Sequence, residues 1–225
     1  KSYTYCDKAW QVALTFDDGP GDWTGELLDY LMEQGIKATF FVNGNNWSCI
    51  YDKPYTDFII RAHKEGHQIG HHTWSHKALT EISDAEVHQE MQRLEDAFQR
   101  IFGFVPRYMR PPYGAGVHDA RVEALMKQRG YVIVGWSMFD YDADFDDANP
   151  AGEHLVDVQE HKYNPGGAYI TLNHDVYERT VKISTPFEVE LLRTSGYNLV
   201  PASVCLGDPN PKNWYRNYKA PEKRN

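Results

Sequence analysis

Short apolar runs rich in β-branched and aromatic residues alternate along the chain with longer stretches whose apolar positions recur at helical spacing. The runs predict strands over Val12–Phe16, Ile36–Val42, His67–Gly70, Arg107–Arg110, Tyr131–Trp136, Ala168–Leu172 and Tyr197–Val200. Helical patterns lie between most of them, near Thr24–Gln34, Tyr55–Lys64, Ser83–Phe102, His118–Arg129, Pro150–His161 and Pro186–Thr194. Local signals mark several helix ends: Ser83 with Glu86 forms a capping box, Gly35, Gly66 and Gly130 suit C-terminal caps, and Pro54, Pro150 and Pro186 suit helix starts. Strand and helix alternating about seven times predicts parallel β/α units, as a closed barrel or an open doubly wound sheet. No sequence repeat supports a solenoid.

No low-complexity or Pro/Gly/Ser-rich stretch divides the 225 residues, so residues 1–225 are read as a single domain. Hydrophobic residues at 41% and charged residues at 24% place the chain among soluble globular proteins, and no run of about 18 apolar residues is present to cross a membrane. The formal charge is -9 with Lys and Arg dispersed, which argues against nucleic acid as a partner and suits a neutral or cationic ligand. Six Trp and fifteen Tyr fit either sugar stacking or ordinary core packing. The three cysteines are too widely spaced for a CxxC motif. Cys6 and Cys205 sit near opposite ends of the chain, and termini of compact domains are often neighbours, so a disulfide between them is predicted, leaving Cys49 over. Such a bridge implies an oxidising compartment. Asn46-Trp47-Ser48 is an N-glycosylation sequon pointing the same way. The expectation is a secreted monomer, extracellular or in the cell wall, with no signal peptide before Lys1 and therefore present here in mature form.

Polar groups recur at the carboxyl ends of the predicted strands: Asp17 and Asp18 after the first, Asn43 after the second, His72 after the third, Arg110 after the fourth, Asp140 after the fifth and His174 after the sixth. In β/α barrels those ends converge on one mouth. His72 and His76 stand four residues apart, the spacing of one face of a helical turn, and two imidazoles with a carboxylate leave coordination positions open for water and substrate. Taken alone, HxxxH is more often a surface or packing pair than a metal clamp, and a carboxylate from another strand end shifts the balance toward metal. Asp17 and Asp18 can divide the labour of ligand and proton acceptor, and their residue types do not say which does which.

Four motifs in order, TFDDGP at 15–20, HTWSH at 72–76, RPPY at 110–113 and LNH at 172–174, resemble the signature motifs of the NodB-homology polysaccharide deacetylases, carbohydrate esterase family four. The resemblance runs from about residue 10 to residue 200. It implies an α/β fold, a distorted (β/α)7-type barrel. It implies that Asp18, His72 and His76 hold one divalent metal, that Asp17 is the general base oriented by Arg110, that the backbone N–H of Tyr113 donates to the oxyanion, and that His174 is the general acid. Leu172 would line the pocket for the acetyl methyl, with Tyr113, Trp136, Trp47 and Phe145 as further substrate-binding residues; Trp47 serves equally as a loop anchor. After the fifth strand the chain departs from the family pattern, and Asp140 is taken as the partner of His174, with Asp142 or Asp144 as alternatives.

The phrasing FFVNGNNW and GHQIGHHTWSH looks most like fungal chitin deacetylases. The implied activity is removal of N-acetyl groups from chitin or chitooligosaccharides, with zinc the expected metal and Co, Ni or Fe also compatible with the donors. Peptidoglycan deacetylation and acetylxylan esterase action are the enzymatic alternatives, and a sugar-binding protein that has lost the chemistry is the non-enzymatic one. His71 beside the motif is read as a packing residue, because neighbours on a strand face opposite ways. His63, His67, His88, His118, His154 and His161 are assigned no chemistry.

Overall fold

The computed structural model describes residues 1–139, 142 and 166–217. The strands are β1 (Ser2–Tyr3), β2 (Gln11–Ala13), β3 (Thr15–Asp17), β4 (Thr39–Val42), β5 (Gln68–His71), β6 (Val105–Pro106), β7 (Tyr108–Met109), β8 (Val132–Val134), β9 (Met138–Phe139), β10 (Ala168–His174), β11 (Asn198–Val200) and β12 (Tyr215–Arg216). The helices of the β/α units are α1 (Thr24–Gln34), α2 (Tyr55–Lys64), α3 (Asp84–Phe102), α4 (Ala120–Gln128), α5 (Thr185–Thr194) and a short α6 (Ala202–Cys205). The helical patterns read from the sequence coincide with α1, α2, α3, α4 and α5 to within two residues, and the capping box at Ser83 is formed in full. The pattern over Pro150–His161 lies outside the described residues.

One hydrogen-bonded path runs β1-β8-β7-β5-β4-β3-β10-β2-β11, and every pairing along it is parallel; β9 adds to β10, and β12 pairs antiparallel with β6. The single strand expected over Val12–Phe16 is broken at Leu14 into β2 and β3. Both halves pair with β10, β2 against Ala168–Ile170 and β3 against Asn173–His174, while β9 occupies the stretch between at Thr171–Leu172. The break is stitched by side chains: the Thr15 N–H donates to Thr171 Oγ1 at 3.0 Å and the Thr15 hydroxyl donates to the Thr171 carbonyl. This is where the regular barrel is distorted.

Alternation along the strands builds two apolar layers. Ala13, Phe41, Tyr108, Val134, Ile170 and Val200 fill one cluster, while Phe16, Phe40, Val42 and Ile69 meet Leu27, Leu28 and Leu31 of α1, Ile59 and Ala62 of α2, and Leu94, Ala97 and Phe98 of α3 in another. Each fully buried leucine contributes about 1.5–3 kcal/mol by leaving water. Gly70 is required here: the ring of Phe41 occupies the space that a side chain at residue 70 would need.

The predicted disulfide is present. Cys6, just beyond β1, is bonded to Cys205, just beyond β11, and the Asp7 N–H donates to the Cys205 carbonyl at 2.8 Å. Because β1 and β11 are the two ends of the strand path, the bond ties the seam across which the sheet closes. The crosslink spans 199 residues, and confining so long a loop in the unfolded chain is worth on the order of 5 kcal/mol. Replacing both cysteines by serine is expected to lower the Tm by about 10 °C or more with unchanged far-ultraviolet circular dichroism at low temperature, as scanning calorimetry would show; an unchanged Tm would mean that the unfolded chain gains little freedom from the loss.

Candidate active site

The carboxyl ends of β3, β5 and β10, with the residue that follows β7, supply the polar groups of one cleft. Consecutive strand residues normally face opposite ways. Asp18 has a left-handed φ of 74°, and this turn brings its carboxylate to the same side as that of Asp17. The path then continues through Gly19, where the carboxylate of Asp175 fills the place of a side chain.

Asp18 Oδ1 lies 3.3 Å from His72 Nε2 and 3.0 Å from His76 Nε2. One ligand atom from each of the three residues falls within 4.8 Å of the others. Oδ1 of Asp18 is buried yet accepts no hydrogen bond among the described residues, so the three atoms face a shared point rather than each other. Ligands held about 2.0–2.1 Å from a tetrahedral zinc stand about 3.3 Å apart, and the spacing here fits that. Burial opposes ionisation of Asp18, but the two imidazoles outweigh it and hold the carboxyl well below the usual range. His72 Nδ1 is 2.7 Å from the Arg110 carbonyl, which places the proton on Nδ1 and leaves Nε2 free as a ligand. The HTWSH segment is not the helical turn its spacing suggested. It is an irregular turn with left-handed φ at Thr73 (71°) and His76 (60°), braced by the Asn43 amide, which donates to the carbonyls of His72 and Thr73. His71 faces away, with Nε2 on the Met91 carbonyl and Nδ1 accepting from the Thr73 N–H; burial pushes it down to about 3, so it is neutral packing.

Asp17 Oδ1 accepts from the Arg110 guanidinium at 2.9 Å, and its Oδ2 lies 3.8 Å from His72 Nε2. On the far side of the cleft, His174 Nδ1 is 2.6 Å from Asp142 Oδ1; Asp142 Oδ2 accepts from the His174 backbone N–H at 2.6 Å and from the Thr180 hydroxyl at 2.8 Å. Burial works against a charged imidazole, but the Asp142 carboxylate, with Asp17 and Asp18 beyond it, raises His174 to about 9. The position expected for Asp140 is therefore filled by Asp142, one of the two alternatives. The three-point anchoring selects it, and a count of residues after β9 could not foresee it. Asp140, Asp144 and Phe145 lie outside the described residues.

The cleft has a volume of about 540 Å3 and is lined by Asp17, Asp18, His72, His76 and His174 together with Asn46, Trp47, Tyr113, Trp136, Leu172 and Tyr177. Tyr113 has a left-handed φ of 59° and an exposed ring. Tyr177 was not anticipated; it follows His174 by three residues and meets the ring of Trp47 edge-on at 5.3 Å. Asn46 of the sequon is on the cleft rim, its amide donating to Asn43 Oδ1 at 3.1 Å. Asn43 was visible as a polar residue at a strand end, but its role in bracing a loop 30 residues away was not.

A family profile described as "Polysaccharide deacetylase" matches residues 5–134. The chain belongs to the polysaccharide deacetylase family, carbohydrate esterase family four. It is similar to a chitin deacetylase of Pestalotiopsis sp, 39% identical over 95% of this chain and 69% of that one, and to the chitin deacetylase of Colletotrichum lindemuthianum, 38% identical over 94% and 85%. The solved structure of the Colletotrichum enzyme superimposes with a TM-score of 0.90 over 99% of this chain and 98% of that one, at 36% identity, and shares the distorted barrel. The Bc1960 peptidoglycan N-acetylglucosamine deacetylase has a TM-score of 0.77 at 26% identity, each chain covered over 92%.

A histidine raised to about 9 carries its proton through neutral pH and loses it as pH rises through that value, so the alkaline limb of kcat/KM is expected near pH 9. In Asp142→Asn the limb should move by a unit or more toward the ordinary value of about 6.5. A pH–rate profile of the two proteins checks this; an unmoved limb would assign it to another group.

Proposed function

We propose that this protein is a metal-dependent hydrolase that removes N-acetyl groups from the N-acetylglucosamine units of chitin or chitooligosaccharides, releasing acetate and the free amino sugar. The observation that carries the proposal is the convergence in one cleft of an Arg110-bound Asp17, the Asp18, His72 and His76 triad, and a His174 paired with Asp142. The substrate follows from the named relatives, whose identity extends over more than nine-tenths of the chain. Peptidoglycan is the second reading, because a Bacillus cereus peptidoglycan-N-acetylglucosamine deacetylase is 36% identical over 57% of this chain.

A divalent cation, zinc being the expected one, would be held by Asp18, His72 and His76 and would supply Lewis acidity, acidifying water and polarising a carbonyl. Arg110 holds one oxygen of Asp17, leaving Oδ2 toward the cleft to take the proton of the attacking water. The water oxygen adds to the acetyl carbonyl carbon, and the backbone N–H of Tyr113 donates to the oxyanion, a type of contact typically worth 2.7–4 kcal/mol. His174, protonated at neutral pH and fixed through Nδ1 by Asp142, gives its Nε2 proton to the nitrogen as the C–N bond breaks. Leu172 packs against the acetyl methyl, and Trp47, Tyr113 and Trp136 offer ring surface to the sugars. The disulfide suits an oxidising compartment, and secretion to the cell wall as a monomer completes the reading.

Acetate release from chitin oligomers should vanish on chelation and return with zinc. Asp17→Asn should lose about 10²–10⁴-fold in kcat while binding zinc as tightly as the native protein. A protein that binds one zinc but leaves chitin oligomers intact while deacetylating peptidoglycan or xylan would keep the site and change the substrate.

A further inference from the structure

The two imidazoles of the proposed metal site are held in different ways. His72 is oriented through its ring, by the Arg110 carbonyl on Nδ1. Among the described residues no hydrogen bond reaches Nδ1 of His76, whose ring meets the edge of Tyr113 at 4.5 Å and the tilted ring of His72 at 5.0 Å between centroids. The place of His76 Nε2 is therefore set by the main chain that carries it. That main chain is strained: Thr73 and His76 both have left-handed φ, a conformation costing on the order of 1–3 kcal/mol at each such residue. Left to itself the turn would relax, and with it the ligand.

The Asn43 amide and the N–H groups of Gly44 and Asn45 hold the carbonyls of residues 72–74, and two further braces act nearer His76. Within the turn, Thr73 Oγ1 accepts the His76 N–H at 3.2 Å. From outside, Glu90 reaches across from α3 to Ser75, the residue immediately before His76. Its Oε2 accepts the Ser75 N–H at 2.7 Å and its Oε1 accepts the Ser75 hydroxyl at 2.7 Å. Glu90 is 4% exposed, and no ion pair to it is found among the described residues. A buried carboxylate is costly unless its oxygens are hydrogen-bonded, and bonds to a charged acceptor are roughly twice as strong as neutral ones. Both bonds go to Ser75, the residue that immediately precedes His76.

We propose that Glu90 is a positioning residue for the metal site: by clamping Ser75 from α3 it holds the turn 73–76 so that His76 Nε2 faces Asp18 and His72, without itself touching metal or substrate. The inference rests on reading Asp18, His72 and His76 as metal ligands. Glutamine can serve in part, since its oxygen accepts the Ser75 N–H and its amide donates to the Ser75 hydroxyl, whereas leucine has the bulk of the side chain and no acceptor.

The test is a competition titration of the metal-free protein with zinc against a chromophoric chelator, repeated on Glu90→Gln, Glu90→Leu and Ser75→Ala. Residues that orient ligands typically change metal affinity about 10–100-fold, and a loss of that size is expected for Glu90→Leu, with Glu90→Gln close to the native protein. The visible spectrum of the cobalt-substituted protein should change in Glu90→Leu, a signature that a loss of global stability alone would not produce. Native affinity together with a native cobalt spectrum in Glu90→Leu would overturn the proposal. Should Glu90→Leu fail to fold, Ser75→Ala decides: weakened zinc binding supports the clamp and unchanged binding overturns it. A native protein that binds no zinc would overturn the metal site itself, an outcome distinct from a tight native site that is indifferent to residue 90.

Discussion

The guanidinium of Arg110 is fully buried at the centre of the barrel, and the rest of the site is arranged around the need to keep that charge satisfied. Its five N–H groups all find acceptors: Asp17 and Thr15 through Nη1, the Gly135 and Thr171 carbonyls through Nη2, and the Val134 carbonyl through Nε. The ring of Phe41 lies 4.5 Å below it, in space that Gly70 leaves open. An unpaired charge in such a place would cost many kcal/mol, and removing one partner of a buried pair typically costs 3–5 kcal/mol. The acceptors come from β3, β10 and the end of β8, so the same bonds that neutralise the arginine set the register of three strand ends around the cleft. Through its own carbonyl Arg110 also orients His72. One side chain thus aims the proposed base while its main chain aims a proposed ligand.

Around this centre, environment rather than residue type decides what each histidine is. His71 and His174 both sit at strand ends and both are largely buried. His71 meets a backbone carbonyl, a backbone N–H and aromatic rings, and desolvation leaves it neutral. His174 meets the Asp142 carboxylate within a field of two further carboxylates, and desolvation is overcome. The shifts run in opposite directions, as expected when a desolvated cation either lacks or has a counter-charge at contact. The cleft accordingly divides into a proposed ligand side built on Asp18, His72 and His76 and a side built on the paired His174 and Asp142.

Much of this was legible along the chain. The helices α1 and α2 were readable to the residue because Gly35 at the end of one, Pro54 at the start of the other and their apolar periodicity act within a turn or two of themselves. The strand-end positions of Asp17, Asp18, His72, Arg110 and His174 followed from the alternation of elements, since parallel β/α units put carboxyl ends on one face. The pairing of Cys6 with Cys205 followed from the proximity of the chain ends. Other features were not legible. The break at Leu14 leaves no mark in the spacing of Val12–Phe16, because it exists only where β2 and β3 share β10 as a neighbour. The tiny strands β1, β6, β9 and β12 are too short to carry a period.

What the sequence determined by itself, then, is the set of elements, the seam cysteines and the residue types offered at each strand end, all of which depend on local spacing or on the rules of parallel β/α packing. What only the tertiary structure decided is which side chains touch: Asp142 rather than Asp140 on His174, the left-handed turns that bring Asp18 and His76 toward one point, and the bracing of those turns by Asn43 and Glu90. These contacts join residues tens of positions apart through loops of irregular geometry. Their outcome is set by competition among buried polar groups for a limited supply of partners, and no local pattern records who wins that competition.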